Sequence, residues 1–581
     1  MQQNSVDIQF RFEARDGTVR EQPLLFRNPI RILEARTIEE VHQTLKEAQC
    51  AWEEGYYVVG YLAYEAAPAF DPAFTVHNGY DGPLAWFSVF ERPEEYDEHK
   101  RGSFTVSEWV PQTSRKDFDQ AIDAVRSGIV RGETYQTNYT IRLKGTLTGD
   151  AHTYFEALQQ RQKGPYSAYI HTGKRVLCSA SPELFFRWDG KTIVTRPMKG
   201  TAPRGKTMRE DEENRAALQQ SEKEQAENVM IVDLLRNDIG RIAELGSVQV
   251  PQLLTVETYP TVFQMTSTVE AKTREDVKLI DVLGALFPCG SITGAPKVST
   301  MNYIHDLESS ARGVYCGAIG YMEPGGEAVF SVPIRTVEVD VETGSAVYGV
   351  GGGITWDSKA TSEYEEVLNK SQILINSTSE WSLLETMRAD NGKVIYLQKH
   401  LDRMEASAHY FGYPFNQAHV KQTIEEIAKE DDCQSYKLRA LLSSDGELTV
   451  EKSLYTHDNE VKTVRLATTP VDRNHLFLQH KTTHRDVYEQ HQRAHLDVFD
   501  VLLWNEDGEL TEFTLGNVVL EINGKRYTPP LTSGLLAGTF REFLLETEQL
   551  HDRVLRKEDL ERAERVWLIN SVREWVEVEF I

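Results

Sequence analysis

Apolar and polar residues alternate in the opening stretch MQQNSVDIQFRFEARDG, the period of two that lays one face of a strand on a core. Farther on, in KDFDQAIDAVRSGIVRGETYQ, the apolar residues Phe118, Ile122, Val125 and Ile129 recur every three or four positions, which predicts an amphipathic helix. Strand-like runs follow through RVLCSASPELFFRWDGKTIVTRPMKG. A long helix-period block, MREDEENRAALQQSEKEQAENVMIVDLLRND, then leads into more strands and Gly-rich loops as far as SQILINSTSEW. The first 110 residues read as strands and short helices that end in the exposed connection RPEEYDEHKRGS. Near Ser377 the pattern changes. Residues 376–380 read as a polar linker, and LLETMRADNGKVIYLQKHLDRMEASAHYFGY opens a second unit as strand, Asn-Gly turn, strand and helix. The expected organisation is therefore 1–375, divided into 1–110 and 111–375, followed by 381–581.

Composition narrows the class. At 581 residues the chain is too long for one core, and its 40% hydrophobic and 26% charged residues are those of an ordinary folded protein. The 63 basic against 89 acidic side chains leave a net charge of −26, which argues against a nucleic-acid partner. The longest apolar stretch, Gly55 to Tyr64, is far short of the roughly 20 residues of a membrane helix, and the N-terminus lacks a secretory pattern, so a cytoplasmic protein with no membrane partner is expected. Cys50, Cys178, Cys289, Cys316 and Cys433 are scattered, with no CxxC pair, and read as buried structural thiols.

Glu224 and Glu227 lie three apart in the long helical block, and Glu363 and Glu366 repeat that spacing in SEYEEVLNK. Such pairs project from one helix face, and two of them would make an all-oxygen site suited to Mg2+. Spacing alone is common among 89 acidic residues. Around the pairs stand candidates for gripping a small anion: Lys199 in RPMKGTAPRG, Arg335 in SVPIRTVEVD, the turn FPCGSITGAPK, and Gly351, Gly352 and Gly353, which admit a ligand close to the backbone.

Together SPELFF, RPMKGTAPRG, AENVMIVDLLRNDIGR, SITGAPK, RGVYCGAIGY and GGGITWDS with SEYEEVLNK resemble, in order, the chorismate-utilising enzymes, among them component I of anthranilate synthase and of 4-amino-4-deoxychorismate synthase. The resemblance covers about residues 1 to 375. It implies Glu227 and Glu366 as Mg2+ ligands supported by Glu224 and Glu363, and a chorismate pocket of Thr293, Tyr315, Arg335, Lys370 and the Gly351 to Gly353 backbone. Lys199, where the anthranilate-forming branch usually has alanine, implies the aminodeoxychorismate branch, with this lysine as nucleophile and Glu183 as general acid/base. Gln264 in VFQMTS stands where relatives often carry histidine. No cysteine sits in a glutaminase-like turn, so ammonia comes from solution or, as expected here, from a partner glutamine amidotransferase subunit.

In the second unit Lys481 ends an apolar run in QHKTTHRDVYEQH, and an acid, Gly-containing turns and a helix start follow. A Schiff-base cofactor needs a lysine for its aldehyde, a carboxylate for its pyridine nitrogen and N–H groups with an arginine for its phosphate. The ordered set LLETMRADNGKVIYLQKHLDRM, HKTTHR, ELTEFTLGNV, SGLLAGTFRE and INSVRE resembles the class IV, fold-type IV pyridoxal-phosphate enzymes over about residues 381 to 581. That resemblance implies Lys481 as Schiff-base lysine, Glu512 beside the pyridine nitrogen, and Arg403, Thr539, Phe540 main chain and Ser571 at the phosphate. It also implies a homodimer. Glu577 departs from the Pro-Val that relatives often carry nearby.

The class IV motifs leave lyase and aminotransferase open; chain context favours a lyase that converts aminodeoxychorismate to 4-aminobenzoate, a folate precursor, and pyruvate. An aminotransferase of other substrate and an inactive scaffolding module are the alternatives, the latter opposed by the joint presence of Lys481, Glu512 and Arg403. The implied fold class is α+β throughout: packed antiparallel sheets with outer helices first, then a two-subdomain fold-type IV unit.

Overall fold

The computed structural model describes the chain except residues 1–5, 15, 16, 19–21, 98, 100, 101, 163, 206, 207, 260, 261, 375–380, 431–433 and 459. The expected linker at 376–380 and Cys433 therefore lie outside the described residues. Two compact units emerge, one of Met1–Arg204 with Asn214–Ser377, the other of Thr378–Ile581 with Gly205–Glu213.

The first unit is built on two antiparallel sheets. One runs Gly294–Ala295, Gln136–Gly149, Ser345–Ile354, Thr336–Asp340, Arg175–Ser181, Tyr166–His171, Asp7–Phe12, Leu24–Arg27; the other contains Met198–Pro203, Val262–Lys272, Leu184–Trp188 and Tyr57–Leu62. Strand parity explains the packing. In Tyr57–Leu62, Val59 and Tyr61 join Phe10, Phe12, Tyr166 and Leu177 in one core, while Val58 and Leu62 join a second core with Val41, Leu45, Ile231 and Leu235 from helices. Val176 and Cys178 likewise turn away from Leu177 toward Phe118, Ile122 and Val125 of the helix Arg115–Val130. The strands are thus buried on both faces, and each large apolar side chain so buried contributes about 1.5–3 kcal/mol.

The expected helix is present as Arg115–Val130, started by Ser114, whose Oγ accepts from the Asp117 N–H at 3.2 Å. The long helical block is instead two helices, Met208–Gln220 and Glu222–Gly240. Ser221 takes an extended conformation and its Oγ accepts from Glu224 N–H at 3.4 Å, capping a new helix. Glu224 consequently lies in a first turn, where the exposed N–H groups favour negative charge. Of the cysteines, Cys178, Cys289 and Cys316 are buried; Cys50 is exposed, contrary to expectation, on the solvent face of the helix Ile38–Glu53.

In the second unit the Asn391-Gly392 turn, both residues at positive φ, joins Leu383–Asp390 to Lys393–Val394 as the sequence predicts. These strands lie in a four-stranded sheet packed under the helices Leu397–Phe411 and Gln417–Lys429. A separate eight-stranded sheet runs from Leu510–Phe513 to His551–Asp552, and Leu510–Phe513 also pairs with Gly516–Ile522, closing six strands into a ring.

Candidate active sites

In the first unit the strands Gln136–Gly149 and Ser345–Ile354 pair with Gly351 opposite Thr140, Gly352 opposite Tyr139 and Gly353 opposite Asn138. Where these side-chain-free residues end the strand, a cavity of about 170 Å³ opens. Glu183, Lys199, Tyr315, Arg335 and Lys370 line it, as do the three glycines and all of Glu224, Glu227, Glu363 and Glu366. Thr293 does not. Its hydroxyl donates to the Cys289 carbonyl at 3.0 Å and its own carbonyl accepts from Asn138 N–H, so it shapes the turn while Ser291 and Ile292 reach the cavity.

The backbone approach is close. A Cβ at Gly353 would stand 3.0 Å from Lys199 Nζ, and one at Gly352 would stand 3.6 Å from Glu363 Oε2 and Glu366 Oε1. Lys370 bonds Glu366 at 2.6 Å and donates to the Gly351 carbonyl at 2.9 Å, and its charge is the main cause holding Glu366 below the usual carboxylate range. Burial raises Glu224 and Glu363, and raises Glu227 to about 7 with Lys199 opposing. Carboxyls raised by burial in one cavity have a demand for cation that Lys199, Lys223 and Lys370 leave partly unmet. Among the described residues no group of three or more His, Cys, Asp or Glu side chains stands close enough together to hold a metal ion by itself. The donor set nonetheless suits Mg2+, which takes one or two carboxylates and completes its shell with water and an anionic ligand.

Burial pushes the Lys199 amine down, with Glu227 and Glu183 opposing and Lys370 adding to the shift. Burial likewise raises Glu183 to about 7, against a hydrogen bond from Ser291 and the charge of Lys199. Glu183 Oε1 is buried with no partner among the described residues. A lysine drawn toward neutrality beside a carboxyl titrating near neutral pH combines a nucleophile with a proton carrier. Arg335, at φ 53°, donates to Gln162. Gln264 Nε2 donates to the Gly200 carbonyl at 2.9 Å and its Oε1 accepts from Thr201 at 3.0 Å, which ties down the turn after Lys199.

In the second unit Lys481 is half-buried, and the burial of its amine, with Arg403 and Arg485, pushes it down to about 8 against the pull of Glu385 and Glu512. Arg403 grips Glu385 with two bonds, at 2.8 and 2.6 Å, and donates to the Ala537 carbonyl. His400 Nδ1 lies 2.6 Å from the same carboxylate and its Nε2 lies 3.3 Å from Thr539 Oγ1. Although burial opposes it, the pair Arg403 and His400 holds Glu385 at about 2. Thr539 and Phe540 open the helix Thr539–Glu546, whose first N–H groups point out of the helix. Ser571 donates to the Thr386 carbonyl. Burial raises Glu512 to about 7 while Tyr488, the Leu536 N–H and Asn517 donate to it. An amine near neutrality, a buried carboxyl, an arginine and a helix start fit the aldehyde, pyridine nitrogen and phosphate of pyridoxal phosphate.

Sequence reasoning missed several members. Gln136 is buried against Gly353 with both amide atoms lacking a partner among the described residues, and Asn138 and Ser291 line the cavity. Glu385, His400 and Tyr488 were inside the quoted motifs; the His400 to Arg403 spacing of three on one helix was the only readable sign.

Two family matches divide the chain: chorismate binding enzyme over residues 7–376 and amino-transferase class IV over residues 382–581. Aminodeoxychorismate synthase component 1 of Escherichia coli (strain K12) is 39% identical over 295 residues, 51% of this chain and 63% of that protein. The match thus spans less than two thirds of that relative. Anthranilate synthase component 1 of Methanothermobacter thermautotrophicus is 35% identical over 346 residues, 55% of this chain and 74% of that protein. A crystal structure of anthranilate synthase component I from Streptococcus pneumoniae TIGR4 superposes with a TM-score of 0.52 at 23% identity, over 64% of this chain and 93% of that one, and shares the fold.

Proposed function

The chain belongs to the chorismate binding enzyme family, and from that premise we propose that it makes 4-aminobenzoate for folate synthesis in two steps, on two sites of one polypeptide. In the first step the Lys199 amine adds at C2 of chorismate as the C4 hydroxyl leaves, and ammonia enters at C4 as the lysine is expelled. Glu183, protonated below about pH 7, gives a proton to the departing hydroxyl and later takes one from the incoming amine. Mg2+ held by Glu227 and Glu366, with Glu224 and Glu363 behind them, would neutralise a substrate carboxylate. Tyr315, Arg335, Lys370 and the Gly351 to Gly353 backbone position the substrate. The observation that carries this reading is the Lys199 amine inside the carboxylate-lined cavity, against Gly353 and beside Glu183.

In the second step pyridoxal phosphate, when bound by Arg403, Ser571 and the Thr539 and Phe540 main chain, supplies an electron sink. Lys481 takes the C4 proton of the aminated product, pyruvate departs, and the ring becomes aromatic; Glu512 keeps the pyridine nitrogen protonated. Ammonia is delivered by a glutamine amidotransferase subunit, the partner that a component 1 relative implies. We place both steps in the cytoplasm, in a homodimer formed through the second unit. An aminotransferase of other substrate is the second reading, favoured by the class IV amino-transferase match.

Purified protein given chorismate, ammonium, Mg2+ and pyridoxal phosphate is expected to release 4-aminobenzoate and pyruvate, and to stop when either Mg2+ or cofactor is withheld. Aminodeoxychorismate alone, with glutamate formed from 2-oxoglutarate on addition of an amino acid, establishes the second reading. Anthranilate removes the role given to Lys199.

A further inference from the structure

Glu512 is 3% exposed and, among the described residues, forms no ion pair within 4 Å. Its charge is instead met by three neutral donors. Tyr488 Oη donates to Oε1 at 2.8 Å, the Leu536 N–H donates to the same oxygen at 3.1 Å, and Asn517 Nδ2 donates to Oε2 at 3.3 Å. Tyr488 gives the shortest of these bonds. It sits on the helix Asp486–Arg493, itself buried, and its ring lies 4.5 Å beneath the Arg485 guanidinium, which is fixed by a 2.6 Å bond to the Thr514 carbonyl. Burial drives the phenol well above its ordinary range, so it serves this carboxylate as a donor at every working pH. The cationic groups that act on Glu512 are Lys481, Arg485 and Arg541, all without direct contact.

We propose that Tyr488 is a positioning residue that keeps Glu512 ionised and aimed at the ring nitrogen of the bound cofactor. The inference rests on the cofactor reading of the second unit. A carboxyl in this site loses its charge by burial unless donors stabilise the ionised form, and an uncharged Glu512 no longer holds a protonated pyridine. Tyr488 supplies the largest of the contributions that oppose burial at this carboxyl.

The test uses the full-length holoenzyme and measures the dissociation constant of pyridoxal phosphate and the visible absorbance of the bound cofactor from pH 5.5 to 9. Tyr488→Phe keeps the ring and removes the donor. It is expected to weaken cofactor binding about tenfold at pH 7 and to move the acid-side midpoint up by about one unit, the size of one hydrogen bond to a charged group. In a Glu512→Gln background the same change should cost less than twofold. Fluorotyrosine at 488, a stronger donor of nearly the same shape, should move the midpoint down, which keeps the inference testable if the Phe variant folds poorly. A Tyr488→Phe midpoint equal to wild type, or a loss undiminished in Glu512→Gln, overturns the role. Wild-type protein that takes up no pyridoxal phosphate overturns the cofactor reading and this inference with it, an outcome distinct from normal uptake with an unmoved midpoint.

Discussion

Lys199 and Glu183 show how far a single residue is governed by its surroundings. Lys199→Ala is expected to abolish amination of chorismate while conversion of supplied aminodeoxychorismate continues; product chromatography on both substrates checks it, and unchanged amination removes the lysine as nucleophile. Glu183 carries a pH dependence of definite sign. Burial lifts it from 4.5 to about 7, so the folded state holds this proton more tightly than the unfolded one. Its contribution to stability is complete below 4.5 and is lost as pH rises through about 7. Glu183→Gln should therefore raise the melting temperature of the first unit at pH 8, by about 2–4 °C for each kcal/mol of relieved burial penalty, with the gap closing toward pH 5. Calorimetry at the two pH values decides; an equal gap at both contradicts the assignment. Lys199 was legible because one position, PMKGT, separates branches of the resemblance. Gln136 was not, because nothing in its neighbours announces that both amide atoms end up buried without partners among the described residues.

At the scale of elements, the three glycines that end the strand Ser345–Ile354 are three different constraints. A Cβ at Gly351 would stand 2.1 Å from the Tyr139 carbonyl, against backbone of the paired strand. At Gly353 it would meet Gln136 Nε2 at 2.0 Å and Lys199 Nζ at 3.0 Å, and at Gly352 it would make only ordinary contact with Glu363 and Glu366. Gly351→Ala is thus expected to destabilise the first unit by about 1–3 kcal/mol, the usual cost of overpacking. Gly353→Ala should fold but lose amination by about 100-fold or more, through misplacement of Lys199. Gly352→Ala should fold normally with a raised KM for chorismate. Denaturant titration with steady-state kinetics on all three tests the ordering. The run of glycines was readable in the sequence; which atom each one spares was set by the register of two strands far apart in the chain. The division of the long helical block is a second case. Periodicity continued through Ser221, and only the local competition of its hydroxyl for a backbone N–H shows where one helix stops.

For the molecule as a whole, each unit has its own apolar cores, the first centred on its two sheets and the second on the Leu383 and Val464 clusters. Ligand that binds one folded unit stabilises that unit by mass action. Saturating pyridoxal phosphate should shift the unfolding of the second unit alone, and calorimetry of the intact chain should resolve it from the first; one joint shift contradicts the assignment. Lys481→Ala should abolish that shift in part, stop 4-aminobenzoate formation and let aminodeoxychorismate accumulate, and continued product at the wild-type rate removes Lys481 from the second step.

Ordered motifs and periodic apolar positions were enough for the α+β class, and they carried the expectation of two parts and of the polar residues proposed for each site. These are local properties: a helix repeats every 3.6 residues and a strand every two, and chemistry demands particular residue types. What the tertiary structure decided was proximity and environment. It gathered Glu183, Lys199, Glu227 and Glu366 around one cavity from separate segments, left Thr293 in the supporting turn, placed Cys50 on a solvent face, and brought Tyr488 against Glu512. Burial of those groups moves their proton affinities, and burial is a property of the packed chain rather than of any stretch of its sequence.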